Sequence, residues 1–483
     1  MSVDIDRFDR CRILVIGDLM IDHYVWGEVD RISPEAPVQV VSVTSEEDTL
    51  GGCGNVVNNI VALAGRVSLA GVVGDGADGD LLLSKCAALG VETEGVVREP
   101  GRPTTRKTRI FAANQHVLRI DRETLREIGK ETFERLIAIV EKKIGEADVV
   151  VVSDYGKGTV TPALLERVTR AAAAAGRRII ADPKGIDFSR YTGVTVLTPN
   201  KKEAGLAAGI RITDDASLKA AADRLMNGIE LESLLVTCGK EGMVLFERGR
   251  EPFKIPAEAR QIFEVSGAGD TVVAVLGLSL AAGSTLRSAA ALANTAAGVV
   301  VGKVGTATLS RRELTAARDR VADPTAAKVK TWEELPLLAQ ELRKKGKRIV
   351  LTNGCFDLLH AGHVMLFSAS KQLGDVLIVA TDDDDSVRRL KGPGRPVIQA
   401  RERMRILSAL DAVDYVIEFT SDRLPELLDA LRPDVLTKGS NYATEEVAGR
   451  ELVEQFGGKV ALIPIKDEIS ATRIIDSIRN GKS

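Results

Sequence analysis

The stretch Glu264-Val265-Ser266-Gly267-Ala268-Gly269-Asp270-Thr271 sets a bendable backbone beside a carboxylate. Two glycines around one alanine allow a tight turn that aims several amide N–H groups outward. The apolar run 272–282 then starts a helix, whose unpaired amides and positive dipole end add to an anion site. Asp270 cannot itself help to bind a phosphate. It can take a proton from a hydroxyl that attacks one. Turn chemistry ahead of a helix explains the same residues without catalysis, so both readings stand at this point.

A second cluster is Leu351-Thr352-Asn353-Gly354-Cys355-Phe356-Asp357-Leu358-Leu359-His360-Ala361-Gly362-His363, which leaves a strand and enters a helix. Two of the four histidines fall three apart and share a face on a helix. Gly362 leaves room for a ligand, and imidazoles at a helix N-terminus donate to phosphate oxygens. Structural histidines are the alternative, and the strand–loop–helix context favours the phosphate role. Cys355, His360 and His363 as zinc ligands would need a fourth ligand and an orienting shell, so no zinc is expected. Gly74-Asp75-Gly76-Ala77-Asp78-Gly79 fits a dinucleotide fingerprint. Its aspartates, with Asp80, would repel a pyrophosphate, so it reads as a turn with acidic N-capping; neither NAD nor flavin is expected. No G-x4-G-K-[ST] loop occurs.

Strands and helices must hold these residues in place. Apolar β-branched runs ending in Gly, Asp or Pro recur at 12–18, 149–154, 178–183, 194–199 and 234–239. Between them lie Ala- and Leu-rich helical stretches such as 162–175 and 217–226. Continuous apolar strands alternating with helices predict a parallel sheet covered on both faces. Segments 38–43, 105–112 and 116–121 follow one another with little helix and predict a small antiparallel flap. The rhythm breaks near residue 320, where 311–330 is polar and Pro324 offers a break, and it restarts at 348 after a helical segment 332–345. The expectation is α/β throughout: one domain over 1–323, a linker and connecting helix over 324–347, and a second domain over 348–483. With 483 residues, two or three domains are required.

Composition limits the partners. Sixty-five basic against 68 acidic residues, a net charge of −3 and 4% aromatics give no reason to expect nucleic acid or a membrane surface. No apolar run is long enough for a membrane helix, the amino terminus lacks a signal-peptide core, and Cys11, Cys53, Cys86, Cys238 and Cys355 show no CxxC spacing. A cytoplasmic protein with small-molecule substrates is expected.

Gly267-Ala268-Gly269-Asp270 resembles the carboxyl-terminal signature of ribokinase-like (PfkB) sugar kinases, and further family elements occur in order from about Arg12 to Gly305. Gly17-Asp18 with Asp22 stands where the family presents a carboxylate to sugar hydroxyls. Gly51-Gly52-Cys53-Gly54-Asn55 resembles its Gly-Gly sugar-binding turn. Thr198-Pro199-Asn200-Lys201-Lys202-Glu203 resembles its Asn-x-x-Glu element, and Thr237-Cys238-Gly239-Lys240-Glu241-Gly242 its Thr-x-Gly-x-x-Gly strand end. The resemblance implies a ribokinase-like α/β/α domain with a β flap, using ATP with Mg²⁺. Asp270 would be the base. Asn200, Lys201, Lys202, Glu203, Thr237, Gly239, Gly242 and the Gly267, Ala268 and Gly269 turn would surround ATP, with Glu203 holding Mg²⁺ through water. Asp18, Asp22, Gly51, Gly52 and Asn55 would surround the sugar. Lys107, Arg109 and Arg119, with Asn114 and Gln115, lie on the flap and could clamp an anionic group on that sugar; a solvated strand face is the alternative. Many family members carry Asp-Thr-x where this chain has Glu264-Val265-Ser266, which leaves a monovalent-cation site in doubt.

His360-x-Gly362-His363, preceded by Asn353-Gly354-x-Phe356-Asp357, resembles the HxGH motif of cytidylyltransferase-like nucleotidyltransferases. Ile469-Ser470-Ala471-Thr472-Arg473-Ile474 resembles their second signature. A Rossmann-like domain with a parallel sheet is implied, again using ATP with Mg²⁺. His360 and His363 would stabilise the pentacovalent state, with Asn353, Phe356, Asp357, Lys391, Ser470, Thr472 and Arg473 around the nucleotide. Asp382-Asp383-Asp384-Asp385 reads mainly as helix N-capping, with Mg²⁺ contact as the other reading. Asn441 stands where the family would lead one to expect Asp. The fused order resembles a bifunctional family that phosphorylates a heptose phosphate and later adenylylates it for lipopolysaccharide core synthesis. A separate sugar bisphosphate phosphatase acts in between, and a homodimer through the β flap is expected by analogy. Another kinase fused to a cytidylyltransferase, or a nucleotide-sensing scaffold, are the rival readings.

Overall fold

Val149–Ser153 reads VVVVS, and every residue of it is buried. Val149 and Val151 enter one hydrophobic cluster while Val150 and Val152 enter another, so this strand needs cover on both faces. In the computed structural model, which describes residues 3–112, 115–229, 231–257, 267–303, 307–323, 325–439 and 447–464, helices supply that cover. The chain divides into two units, Met1–Arg318 and Asp319–Ser483.

In the first unit the strands are β1 (Arg12–Ile32), β2 (Gln39–Gly52), β3 (Arg66–Gly74), β4 (Glu92–Glu99), β5 (Thr105–Ala112), β6 (Gln115–Arg122), β7 (Val149–Ser153), β8 (Arg178–Asp182), β9 (Val196–Leu197), β10 (Ser233–Thr237), β11 (Met243–Glu247) and β12 (Phe253–Ile255). The main sheet runs β12-β11-β10-β9-β8-β7-β1-β3-β4. It is parallel from β4 to β10, while β11 and β12 turn antiparallel at the edge. Strand order reverses between β1 and β7, which opens a crevice at their carboxyl ends. Gly17 lets these two strands close, since a Cβ there would lie 2.1 Å from the Ser153 carbonyl oxygen.

The flap differs from the sequence expectation in one respect. The first strand does not stop at Asp18 but continues to Ile32, pairing antiparallel with β2 and parallel with β5, which pairs with β6. One strand thus carries both the crevice carboxylate Asp18 and the flap. Tyr24, Trp26 and Phe111 stack on it, with ring centroids 5.6–6.5 Å apart.

The second unit holds six parallel strands: β13 (Val329–Lys330), β14 (Ile349–Gly354), β15 (Val376–Asp382), β16 (Tyr415–Phe419), β17 (Val435–Gly439) and β18 (Lys459–Ile463), in the order β13-β16-β15-β14-β17-β18. Order reverses between β14 and β17. The segment read as linker and connecting helix, 324–347, packs into this unit. β13 extends the sheet beside β16, and Leu335, Ala339 and Leu342 of helix Leu335–Lys344 share a core with Ile349 and Leu351. An amphipathic helix must bury its apolar face somewhere, and this sheet provides the place. Among the described residues, no helix is long and apolar enough to cross a membrane.

Candidate active sites

Helix Ala268–Ala281 begins at the reversal point of the first sheet, with Gly267 as N-cap at φ 80°. Asp270 in its first turn is buried. Its Oδ2 accepts from Asn55 Nδ2 at 2.7 Å and its Oδ1 from the Tyr155 hydroxyl at 2.8 Å. Burial pushes its pKa up to about 6, against the pull of those two donors. A carboxylate so placed is ionised at neutral pH yet basic enough to take a proton. Beside it lies a cavity of about 190 Å³ whose lining includes Asp154, Asp182, Lys184, Asn200, Glu203, Thr237 and Gly269. No Cβ contact would obstruct Gly269.

Asn200 and Glu203 form a capping box on helix Lys201–Ala208: Asn200 Oδ1 accepts from the Glu203 amide at 2.9 Å, and Glu203 Oε2 from the Asn200 amide at 3.1 Å. Glu203 Oε1 also accepts from Lys184 Nζ at 2.9 Å. Lys201 pairs with Glu241 at 2.6 Å, and Lys202 is exposed. Thr237 ends β10 against Asn200, and Gly239 and Gly242 turn the chain behind it at φ 59° and 92°. Asp182, absent from the sequence reading, is pushed up to about 8 by burial first and by the Asp270 charge second. Three carboxyl side chains on one cavity, those of Asp154, Asp182 and Glu203, fit a cation carried in with phosphates better than a bare phosphate.

The sugar side departs from the sequence reading. Asp18 does not face an open pocket: its oxygens accept from the backbone amides of Tyr155 (2.9 Å), Lys157 (3.0 Å) and Thr159 (3.1 Å). A buried carboxylate is satisfied most cheaply by amides of a neighbouring loop, so Asp18 fastens residues 155–159. Asn55 holds Asp270. Asp22 Oδ1 accepts from Arg109 Nη1 at 2.6 Å, and Gly51 makes room for it, since a Cβ there would approach Asp22 Oδ2 to 2.6 Å. Gly52, at φ 55°, caps helix Cys53–Ala62. The flap cations already have partners: Lys107 pairs with Asp121 (3.0 Å) and Glu123 (2.8 Å), and Arg119 with Asp121 (3.0 Å). Gln115 is exposed, and Asn114 and Glu264-Val265-Ser266 lie outside the described residues. The Gly74–Gly79 turn serves packing. A Cβ at Gly74 would lie 1.9 Å from the Arg102 carbonyl oxygen, and Asp78 and Asp80 pair with Arg106 and Arg98.

In the second unit His360 is the N-cap of helix Ala361–Lys371 and stacks on His363, with centroids 3.9 Å apart. Burial, then the charge of His360, lowers the His363 pKa to about 4, so its ring is neutral at pH 7. Its Nδ1 is buried with no partner among the described residues. Phe356, at φ 46°, sets its ring edge-on to His363 at 5.3 Å and to Phe367 at 5.1 Å, making it a wall for the pair. Asp357, expected at the nucleotide, instead accepts from the amides of Val397 (2.7 Å) and Ile398 (3.0 Å) and from Arg395 Nε. It ties down the 395–398 loop. Asn353 contributes its carbonyl to Lys438 Nζ at 2.6 Å. Lys391 is exposed at the end of helix Asp384–Lys391. Asp383 is that helix's N-cap, accepting from the Ser386 amide at 2.7 Å. Cys355 is held as a thiol, pushed up to about 11 by burial and by Asp382. Among the described residues no cluster of three His, Cys, Asp or Glu side chains is arranged to hold a metal. Ser470, Thr472, Arg473 and Asn441 lie outside the described residues.

Sequence reasoning missed Tyr155, Asp182, Lys184, Lys438 and the buried Arg403, whose guanidinium donates to Cys355 O (2.5 Å), Thr381 Oγ1 (2.8 Å), Ile398 O (3.0 Å) and Asp384 Oδ1 (2.8 Å). Tyr155, Asp182 and Lys438 share one readable signal: each stands at or just past the carboxyl end of a parallel strand.

Residues 11–313 match the pfkB family carbohydrate kinases and residues 351–477 the cytidylyltransferase-like family. The first unit's fold resembles that of Arabidopsis thaliana ribokinase complexed with ribose and ATP (TM-score 0.52, 19% identity, 66% of this chain and 99% of that one). It also resembles Escherichia coli phosphofructokinase-2 in complex with potassium (TM-score 0.54, 20% identity, 65% and 99%). A carbohydrate kinase joined to a nucleotidyltransferase is a bifunctional transferase. Full-length similarity narrows the class. Bifunctional protein HldE of Desulfatibacillum aliphaticivorans is 54% identical over 481 residues, covering 100% of this chain and 98% of that protein. HldE of Trichlorobacter lovleyi is 48% identical over 472 residues, covering 98% and 96%. The chain belongs to the HldE family of bifunctional kinase–nucleotidyltransferases.

Proposed function

We propose that the first unit phosphorylates D-glycero-β-D-manno-heptose 7-phosphate at O1 with ATP, giving the 1,7-bisphosphate and ADP. The second unit then transfers the adenylyl group of ATP to heptose 1-phosphate, giving ADP-heptose and pyrophosphate for the lipopolysaccharide core. The observation that carries this reading is Asp270: buried, basic, held by two donors at a helix start, and beside a cavity lined by phosphate-site residues. Asp270 takes the proton of the sugar hydroxyl as that oxygen attacks the γ-phosphorus, while the Gly267–Gly269 turn faces the transferring group. Glu203 and Asp182 would hold a Mg²⁺ ion brought with ATP, which would supply neutralisation of phosphate charge there. At the second site the sugar phosphate is already the nucleophile and needs no base. His360 and His363 donate to the α-phosphate as its charge grows. Mg²⁺ accompanies ATP here as well.

A separate sugar bisphosphate phosphatase must remove the 7-phosphate between the two steps. ATP and sugar phosphates as substrates support a cytoplasmic location. Val117, Leu118 and Ile120 on the exposed edge strand β6 support a homodimer joined through the flap. Incubation of the full chain with heptose 7-phosphate, ATP and a phosphatase, read by mass spectrometry, should yield ADP-heptose. A product that forms only with CTP, or no nucleotide sugar at all, overturns the reading.

A further inference from the structure

We propose that Tyr155 is a positioning residue for phosphoryl transfer: its hydroxyl fixes Asp270 from the opposite side to Asn55 and keeps that carboxylate ionised and aimed at the sugar hydroxyl. This rests on reading Asp270 as the base. Tyr155 Oη donates to Asp270 Oδ1 at 2.8 Å while Asn55 Nδ2 donates to Oδ2 at 2.7 Å. The two donors come from separate elements, the loop after β7 and helix Cys53–Ala62, so together they stop rotation of the carboxylate plane. Each oxygen keeps a further acceptor position for the sugar hydroxyl.

The loop that presents Tyr155 is built to stay still. Asp18 accepts the amides of Tyr155, Lys157 and Thr159. Asp154, the preceding residue, accepts the Gly156 amide at 2.7 Å, the Tyr191 hydroxyl at 2.6 Å and Arg190. Gly156 and Gly158 turn at φ 67° and 86°, and a Cβ at Gly158 would sit 2.1 Å from the Arg126 carbonyl oxygen. A site whose supports are themselves locked holds its geometry without reorganising during reaction. Asn59 secures the other side, donating to the Asn55 carbonyl at 2.8 Å and accepting from Thr271 Oγ1 at 2.9 Å.

Around Asp270 the electrostatic surroundings are acidic. Asp22 faces it from β1 and Asp182 from β8, with the Cys53 thiol nearby, and no lysine or arginine among the described residues is hydrogen-bonded to it. Neutral donors are therefore what keeps it ionised. Removing one of two such donors raises a carboxylate pKa, here by on the order of one unit.

The test is Tyr155→Phe in the full chain, with heptose 7-phosphate and ATP as substrates and ADP release followed from pH 5.5 to 9. The expected result is a kcat lowered about twofold at pH 7 and close to tenfold at about pH 5.5 by loss of the ionised carboxylate, with a further pH-independent loss from its poorer aim and the acid limb moved up by about one unit. KM for heptose 7-phosphate and adenylyl transfer should stay as in the parent. A parent-like kcat with an unmoved acid limb overturns the inference. So does a raised KM at unchanged kcat, which would make Tyr155 a sugar contact. Equal loss at every pH with early melting would make it purely structural and also overturn the inference. Asp270→Asn runs alongside: if it keeps kinase turnover, the reading of the base itself fails, whatever Tyr155→Phe does.

Discussion

Asp18→Ala separates two roles for one carboxylate. As a sugar contact, Asp18 would affect binding and little else. As a loop fastener it carries three backbone amides on a side chain that is 1% exposed. A hydrogen bond to a charged group contributes about 1.5–3 kcal/mol, and each buried amide left orphaned costs about 1–3 kcal/mol. These terms are not additive, and relaxation of the loop recovers part of them, so a net loss of roughly 3–5 kcal/mol is expected. For a domain of this size that lowers the kinase-unit melting temperature by roughly 10 °C. Tyr155 then loses its seat against Asp270, so kinase kcat should fall at least as far as in Tyr155→Phe, while adenylyl transfer persists. Scanning calorimetry of the full chain, with both activities assayed on the same sample, reads all three. Asp18→Asn, which keeps one acceptor oxygen, should fall between. Parent-like melting with only KM for the sugar raised would refute the reasoning and restore Asp18 to the pocket.

Arg403→Met removes a buried guanidinium that bridges the Cys355 carbonyl, Thr381, Ile398 and Asp384, and each buried acceptor left unpaired costs about 1–3 kcal/mol. Urea denaturation should show the second unit weakened and adenylyl transfer lost, with kinase turnover retained. Asp182→Asn should stabilise the kinase unit at pH 8. Between about pH 4 and pH 8 the folded state holds a proton that the unfolded chain has released, so parental stability falls as pH rises across that window, and the amide removes the slope. Melting curves at pH 5 and pH 8 check the sign. Kinase kcat should drop below about pH 6 as Asp270 protonates, and Asp270→Asn should abolish it while sparing adenylyl transfer, as a pH–rate profile of both activities will read. His363→Ala should do the converse, measured as pyrophosphate release.

Much of the fold was legible because the strands are continuous apolar runs and the helices between them are amphipathic; both periods survive in a single sequence. The Gly267–Asp270 turn and the HxGH helix start were legible for a related reason, since turn and cap chemistry is local. What was not legible is the direction in which a polar side chain is spent. Asp18, Asn55 and Asp357 carry the residue types of ligand contacts, yet each is claimed by groups far along the chain: Asp18 by residues 155–159, Asn55 by Asp270, Asp357 by residues 395–398. Burial of a carboxylate forces such a claim, and its partner is fixed by topology rather than by neighbours in sequence. Tyr155 escaped notice for the same reason. Nothing local marks a tyrosine after a strand as the donor to an aspartate 115 residues later.

The two sites answer one physical problem, gripping a triphosphate, from opposite electrostatic starting points. Both open where strand order reverses, β1/β7 and β14/β17. In the first, Asp154, Asp182 and Glu203 line the cavity with Asp270 beside it, and burial first of all pushes Asp182 and Asp270 up. Phosphates entering beside those carboxylates need a cation in company, while burial is what makes Asp270 basic enough to accept a proton. In the second, a half-buried lysine, Lys438, lies at the reversal point, and the imidazole of His363 is kept neutral by burial. Phosphate oxygens placed against that ring would favour its protonated form. A base placed in the second pocket would meet a nucleophile with no proton to give, and imidazoles placed in the first would be drawn to the carboxylates instead of the phosphate. The chemistry of each reaction thus dictates which titratable group its crevice can hold.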